Sequence, residues 1–312
     1  MDSISLVIPA LNEEERIVKN LLEICSFLDN INNLEYEIIV VNDGSTDSTS
    51  REVNELGITH KNIKLLSLNR NFGKEAAMHA GLVNSTKFDA VIVMDSDLQH
   101  PPSFIPEMID RWRQGFKVIN AVKSDRGNEG VSKSVLVKFY YWLFRSFTPL
   151  DVELDSDFKL LDQVVVRSYT ELIEHNKFFR GLVRWMDYSS ATIYFKVPEV
   201  NDKLQSSWKN ANLLRYGMSS ITSFSSLPLQ IITFLGLTTM VISLIIGGLA
   251  IYDKLAGNAV DGFTTVILLI LMIGSILMIS VGLIGVYIGK IYDEIKRRPS
   301  YLIDYQKSNI FK

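Results

Sequence analysis

Apolar positions follow short rhythms up to about residue 200, and later run unbroken through two long stretches. Five short, nearly continuous apolar runs occur at 4–9 (ISLVIP), 36–42 (YEIIVVN), 63–68 (IKLLSL), 89–95 (DAVIVMD) and 117–122 (KVINAV). Such runs are expected of strands covered on both faces. Between the first two, residues 13–28 place Ile17, Leu21, Ile24 and Leu28 on one helical face, and 74–85 reads as a second helix. The alternation predicts an α/β domain over residues 1–200 with a doubly wound, mostly parallel sheet. In such sheets ligands bind beyond the carboxyl ends of the strands.

The later pattern is of another kind. Residues 228–252 and 263–289 contain no charged residue, and each exceeds the roughly 20 apolar residues that a membrane span needs. They predict two transmembrane helices, joined as a hairpin by the short connector 253–262. Lys290, Lys296, Arg297 and Arg298 follow the second span, against Lys254 in the connector. The positive-inside rule then puts the tail, 290–312, and the 1–200 domain on the cytoplasmic side of the cell membrane. Segment 201–227 predicts an interfacial amphipathic region: Leu214, Met218 and Ile221 share a helical face, with Trp208, Lys209 and Arg215 close by. Segment 131–148 mixes Lys133, Lys138 and Arg145 with aromatic residues and suits either a membrane surface or an ordinary core-facing helix. The start, MDSISLVIPALNEEER, lacks the basic n-region of a secretory signal.

Charge and cysteine content narrow the picture. A net charge of −3 argues against a nucleic-acid partner. A lone cysteine, Cys25, excludes an intramolecular disulfide.

The chemistry gathers at the strand ends. The first strand ends in Pro9, Ala10, Asn12 and Glu13, the second in Asp43, and the fourth in Asp95 and Asp97. Any one of these acidic residues reads most simply as a helix cap, as Asp47 does before Thr49. Capping does not account for three polar clusters at one sheet edge, nor for the D-x-D spacing. No G-x-G-x-x-G follows the first strand and no G-x-x-x-x-G-K-[ST] is present, so neither common nucleotide fingerprint applies. Paired carboxylates at a buried strand's end suit a divalent cation shared with substrate phosphates.

Four segments, in order and spacing, carry a resemblance: LVIPALNEEE (6–15), VVNDGSTDST (40–49), RNFGKEAAMHAGL (70–82) and VMDSDLQHPP (93–102). Together they resemble the family 2 glycosyltransferases, whose fold is GT-A. The two apolar stretches followed by GVYIGKIYDEIKRRPSYLI (285–303) resemble the polyprenyl-phosphate branch, of the bactoprenol glucosyltransferase and dolichol-phosphate mannose synthase type. The resemblance implies inverting transfer of a hexose from a UDP-sugar, UDP-glucose or one like it, to polyprenyl (undecaprenyl) phosphate. It leaves oligomeric state open, with a homo-oligomer, a homotetramer, being what relatives of this kind suggest.

The resemblance further implies roles for named residues. Pro9, Ala10, Asn12 and Glu13 would line the nucleoside pocket, and Asp43 would contact the base. Asp95 and Asp97, with Ser96 beside them and Gln99 close by, would hold Mg²⁺ or Mn²⁺ on the donor diphosphate. Gly73 and Lys74 open a helix whose N-terminus suits phosphate. Asp157 best matches the family's aspartate at the reaction centre, with Asp155 as its rival. Lys123, Arg180 and Lys203 are the candidates for the acceptor phosphate. Lys203 departs from the family pattern, standing where relatives often carry an arginine, in KLQSSWKN, which lacks their glycine. Trp185 reads equally as a sugar platform or as core packing. Three other readings stand beside this one: a GDP-mannose transferase, a processive polysaccharide synthase, and a membrane-anchored nucleotide-sugar-binding protein without turnover. A processive synthase would want more spans and a Q-x-x-R-W motif, where this chain has LVRWMD.

Overall fold

The structure, a computed structural model, describes residues 1–123, 156–174, 177–195, 227–256 and 263–311. They fall into two compact units. One holds the N-terminal sheet together with the residues from Arg298 onward, and the other holds two long helices.

The first unit alternates strand and helix as the sequence predicts: β1 (Asp2–Ala10), α1 (Ile17–Leu28), β2 (Leu34–Asn42), α2 (Thr49–Thr59), β3 (Ile63–Ser67), α3 (Lys74–Asn84), β4 (Ala90–Val93), α4 (Ile105–Arg113) and β5 (Val118–Lys123). Then follow β6 (Lys159–Asp162), α5 (Gln163–Glu171), α6 (Phe179–Trp185) and β7 (Ser190–Phe195). The sheet order is β3-β2-β1-β4-β6-β5-β7. β1 pairs in parallel with both β2 and β4, so the winding reverses between β1 and β4. In open sheets of this kind the binding crevice lies beyond the carboxyl ends of the strands at such a reversal.

Both faces of β1 are buried, which is why its sequence reads as one apolar run. Ile4, Leu6 and Ile8 pack in one cluster with Ile17, Leu21, Ile24 and Leu28 of α1. The alternate residue Val7 faces α3, where a Cβ built on Gly81 would lie 2.2 Å from its Cγ1. Gly81 therefore sets how closely α3 approaches the sheet.

The last part of the sheet departs from the alternation. β6 runs antiparallel to both β4 and β5. It is four residues long and starts with Lys159, which is fully buried and donates to the Asn120 side chain. A short strand with a lysine at its head carries no apolar signature, and β7, buried only at Ile193 and Phe195, offers no continuous run either.

The second unit holds α7 (Leu227–Leu255) and α8 (Phe263–Lys296). Each contains a window apolar and long enough to cross a membrane, Leu229–Ile246 and Met272–Lys296, with none of either window buried within the structure. A core helix of a soluble protein would be mostly buried, so these faces want another apolar medium. α8 runs past the predicted span limit of 289, carrying Lys290 and Lys296 within the helix. The predicted interfacial segments 131–148 and 201–227 lie outside the described residues, save Leu227, which begins α7.

The tail is not a loose end. Beyond α8 it lies along the outer edge of β3, where Leu68 and Ile303 form an antiparallel bridge. Asn69 N donates to the Leu302 carbonyl at 3.0 Å, and Asp304 N to Ser67 O at 2.8 Å. Ser67 N donates to Ser308 Oγ at 2.9 Å and Leu65 N to Asn309 Oδ1 at 2.6 Å. These bonds cover backbone groups that an edge strand would otherwise leave unpaired.

Replacing Gly81 with Ala should destabilise the first unit by about 1–3 kcal/mol through overpacking against Val7. Thermal unfolding of the Gly81→Ala protein, with and without Val7→Ala, checks this: the second change should restore much of the loss.

Candidate active site

Four loops lie beyond the carboxyl ends of β1, β2, β3 and β4, and side chains tie them to one another or to a neighbouring helix. After β1, Asn12 adopts φ 55°, a left-handed conformation that asparagine tolerates better than most residues. Its Oδ1 accepts from Thr46 N at 2.9 Å, and its own N donates to Ser45 Oγ at 3.0 Å. Glu13 N donates to Thr49 Oγ1 at 2.8 Å, while the Glu13 carboxylate pairs with Arg16. Ser48 N donates to Glu14 Oε2 at 2.7 Å. The first and second polar segments thus brace one another.

Asp43 braces the third loop. Its two oxygens accept from Phe72 N at 2.7 Å and Gly73 N at 2.9 Å. It is 3% exposed, and burial pushes its carboxyl above the ordinary value despite the two amides that favour its charge. Gly44 makes the approach feasible: its φ is 71°, and a Cβ there would lie 2.3 Å from the Arg70 carbonyl carbon. Asp43 is therefore already engaged with the loop that delivers Gly73 and Lys74.

The paired aspartates lie in the loop just past β4 and not within it. Asp97 Oδ1 accepts from Gln99 N at 3.0 Å, folding the loop on itself, and Leu98 is held at φ 54°. Asn20, on α1, donates to Ser96 O at 2.7 Å and fixes the loop from below. The buried His100 stacks on Phe158 with ring centroids 5.2 Å apart, and its Nδ1 lies 3.9 Å from Asp95 Oδ2. Asn20 and His100 were not singled out from the sequence, because a polar residue on an amphipathic helix and a histidine before two prolines have no distinctive spacing.

The electrostatic centre is Asp157, 6% exposed. Arg180, from α6, grips it with both ends of its fork, Nε to Oδ1 at 2.6 Å and Nη2 to Oδ2 at 2.9 Å. Lys74, the first residue of α3, reaches Asp157 Oδ2 at 2.7 Å and Asp95 Oδ1 at 2.5 Å. Burial alone would raise the Asp157 pKa, but Arg180 and then Lys74 outweigh it and hold the group far below the ordinary carboxylate range. Burial likewise opposes the charge on Lys74, and the pull of Asp157 and Asp95 carries its pKa above the usual lysine value.

Of the other predicted residues, Pro9 and Ala10 end β1, buried at the crevice. Lys123 ends β5, with its backbone in register with Phe195. Trp185 is 58% exposed at the end of α6, which removes the core-packing reading for it. Asp155 and Lys203 lie outside the described residues.

The profile of the family described as "Glycosyl transferase family 2" matches residues 5–180, more than half of the chain and all of the braced loops. The chain belongs to glycosyl transferase family 2. It is a glycosyltransferase with a GT-A-type sheet. Among curated relatives, the prophage bactoprenol glucosyl transferase homolog of Escherichia coli (strain K12) is 36% identical over 304 residues, covering 96% of this chain and 98% of that protein. The bactoprenol glucosyl transferase of Shigella phage SfX is 37% identical over 308 residues, covering 97% and 99%. Among solved structures, glucosyl-3-phosphoglycerate synthase from Mycobacterium tuberculosis, in complex with Mn²⁺, uridine diphosphate and phosphoglyceric acid, matches with TM-score 0.41 and 23% identity, covering 63% of this chain and 69% of that one.

The donor set can be tested for a metal on its own terms. Asp95, with its side chain 28% exposed, and Asp97 offer hard carboxylate oxygens at the mouth of the crevice. Among the described residues no group of three or more His, Cys, Asp or Glu is arranged to hold an ion unaided. Two carboxylates with the remaining positions left to phosphate and water is the habit of Mg²⁺, so the residues fit a cation brought with a diphosphate.

Asp157 supplies a pH prediction. Its pKa is depressed by folding, so its ion pairs stabilise the protein above the unfolded value of about 3.9, and that stabilisation is lost as pH falls below it. Arg180→Met should therefore lower stability most at pH 7, by about 3–5 kcal/mol for a broken buried pair. The gap between the urea-unfolding midpoints of the two proteins should narrow below about pH 4.

Proposed function

We propose that this enzyme transfers glucose, or a closely similar hexose, from a UDP-sugar to polyprenyl phosphate, with inversion, at the cytoplasmic face of the cell membrane. The observation that carries the reading is the coincidence, in one chain, of the braced D-x-D crevice with two exposed span-length helices, alike from end to end to relatives named bactoprenol glucosyl transferases.

The chemistry follows from the residues. Asp95 and Asp97 would hold Mg²⁺ or Mn²⁺ against the donor diphosphate, with Gln99 at the loop's outer turn. The ion supplies Lewis-acid neutralisation of the departing UDP when bound. Pro9, Ala10, Asn12 and Glu13 line the nucleoside side, and Asp43 supports it by fixing the Phe72–Gly73 amides as well as by any contact to the base. Ser96, buried under the loop, keeps the two aspartates in register through Asn20.

The acceptor needs little help to become a nucleophile. A phosphate monoester loses its second proton near pH 6, so an oxygen is already anionic at neutral pH. Asp157, held strongly ionised by Arg180 and Lys74, is a poor general base. Its role in this reading is to orient the two cations toward the reacting phosphates. Arg180 offers the fork that suits a phosphate, Lys123 stands at the neighbouring strand end, and Lys203 would add a point charge. Alignment of the two substrates and charge stabilisation then supply most of the acceleration. The acceptor's lipid chain cannot leave the bilayer, which gives α7 and α8 their purpose and implies a multi-pass protein; assembly as a homotetramer belongs to the same reading.

The decisive experiment gives the detergent-solubilised full chain undecaprenyl phosphate with radiolabelled UDP-glucose, UDP-N-acetylglucosamine, UDP-galactose and GDP-mannose in turn. Glucose should enter the extracted lipid, with an inverted anomeric centre. Transfer from GDP-mannose alone would favour the mannose-synthase reading, and no transfer from any donor would favour a binding protein. Asp97→Asn should lower transfer by about 100-fold or more, the scale of losing charge stabilisation at a leaving group, and a chelator should do the same to the unaltered enzyme.

A further inference from the structure

Lys74 stands where two roles compete for one carboxylate. Its ammonium lies 2.5 Å from Asp95 Oδ1, an oxygen that the proposed function assigns to a divalent cation. The same ammonium lies 2.7 Å from Asp157 Oδ2. Asp157 does not depend on it alone, since Arg180 holds both of its oxygens. Among the described residues Asp95 has no such second grip: its other basic neighbour is the His100 ring, at 3.9 Å. The side chain of Lys74 is 43% exposed at the start of α3, with room to swing on its four-carbon stem.

Charge decides what can replace it. Among the described residues Asp95 and Asp157 both face the Lys74 ammonium and Arg180 pairs with Asp157 as well, so these two carboxylates are already matched by two cations. A divalent cation arriving alone would make it net positive and would meet the ammonium across the same carboxylate. A cation arriving with a diphosphate brings its own compensation, and the diphosphate gives the displaced ammonium a new anionic partner.

We propose that Lys74 is a resident counter-ion that occupies Asp95 in the nucleotide-free enzyme and yields it only to a cation that arrives with a nucleoside diphosphate. Lys74 thereby makes metal and donor binding interdependent and keeps the site from filling with metal alone. The inference rests on the proposed function's assignment of Asp95 to the metal.

The test measures Mn²⁺ binding by loss of the free-ion EPR signal, on the full chain in detergent, with and without UDP and with no sugar transfer involved. The unaltered protein should bind Mn²⁺ weakly alone and much more tightly with UDP. Lys74→Gln should bind Mn²⁺ alone about tenfold or more tightly than the unaltered protein, because the competing charge is gone. Lys74→Arg, which keeps a cation between the two aspartates, should retain the weak binding. Unchanged or weaker Mn²⁺ binding by Lys74→Gln would overturn the proposal, as would tighter binding by Lys74→Arg, and the latter protein decides alone if the former does not fold. Asp95→Asn separates the two levels. If it loses Mn²⁺ binding in the presence of UDP while Lys74→Gln leaves binding unchanged, only the counter-ion proposal fails. If Asp95→Asn binds Mn²⁺ as the unaltered protein does, the metal assignment fails with it.

Discussion

An ionised carboxylate that is 6% exposed must be matched by cations, and Asp157 is matched by two from different parts of the chain. Arg180 comes from α6 and Lys74 from the start of α3, so this one group draws together elements more than a hundred residues apart. Removing a charge from water costs several kcal/mol, and only close, well-oriented partners repay it. The position of α3 follows from the same need, and Gly81 permits it by letting the helix lie against Val7. Glu75 adds a further tie, accepting from Phe179 N at 2.9 Å where α6 begins.

The loops above the sheet work as a set of braces. Asn12 holds the 45–49 segment, Asp43 holds 72–73, and Asn20 holds 96. Asn12 and Asp43 are thus partly structural. Side chains that would touch a donor are kept in place by backbone bonds made before any donor binds, and such preorganisation is where a transferase gains most of its effect. It also explains why the motifs span four separate segments: each loop requires its neighbour's side chain to keep its shape.

The second half of the molecule answers a different constraint. α7 and α8 leave apolar windows uncovered, which water does not tolerate over such lengths and a bilayer does. The tail after α8 closes the β3 edge of the first unit, so the catalytic sheet has no open strand on that side. Residues 298–311 are in this sense part of the catalytic unit although they follow the membrane-type helices in sequence.

Much of this was legible in the sequence. The runs at 4–9, 36–42, 63–68, 89–95 and 117–122 became β1 to β5, because a strand covered on both faces has to be apolar throughout. The two uncharged stretches became α7 and α8 for the same kind of reason: one solvent demands one composition. Asp95, Asp97 and Asp157 stood out as candidates by their spacing and family likeness. What the sequence could not reveal was partnership. β6 is short, begins with a buried lysine and runs against its neighbours, and strand direction leaves no mark in a four-residue run. Lys74 read as a phosphate-facing residue at a helix start, and only the fold brought its ammonium to Asp95 and Asp157. Likewise Asp43 read as a base contact, and the structure shows both its oxygens already committed to the next loop. Hydrophobic burial is a local demand that each segment writes into its own residues. The pairing of charges is a distance between segments, and it exists only once the chain has folded.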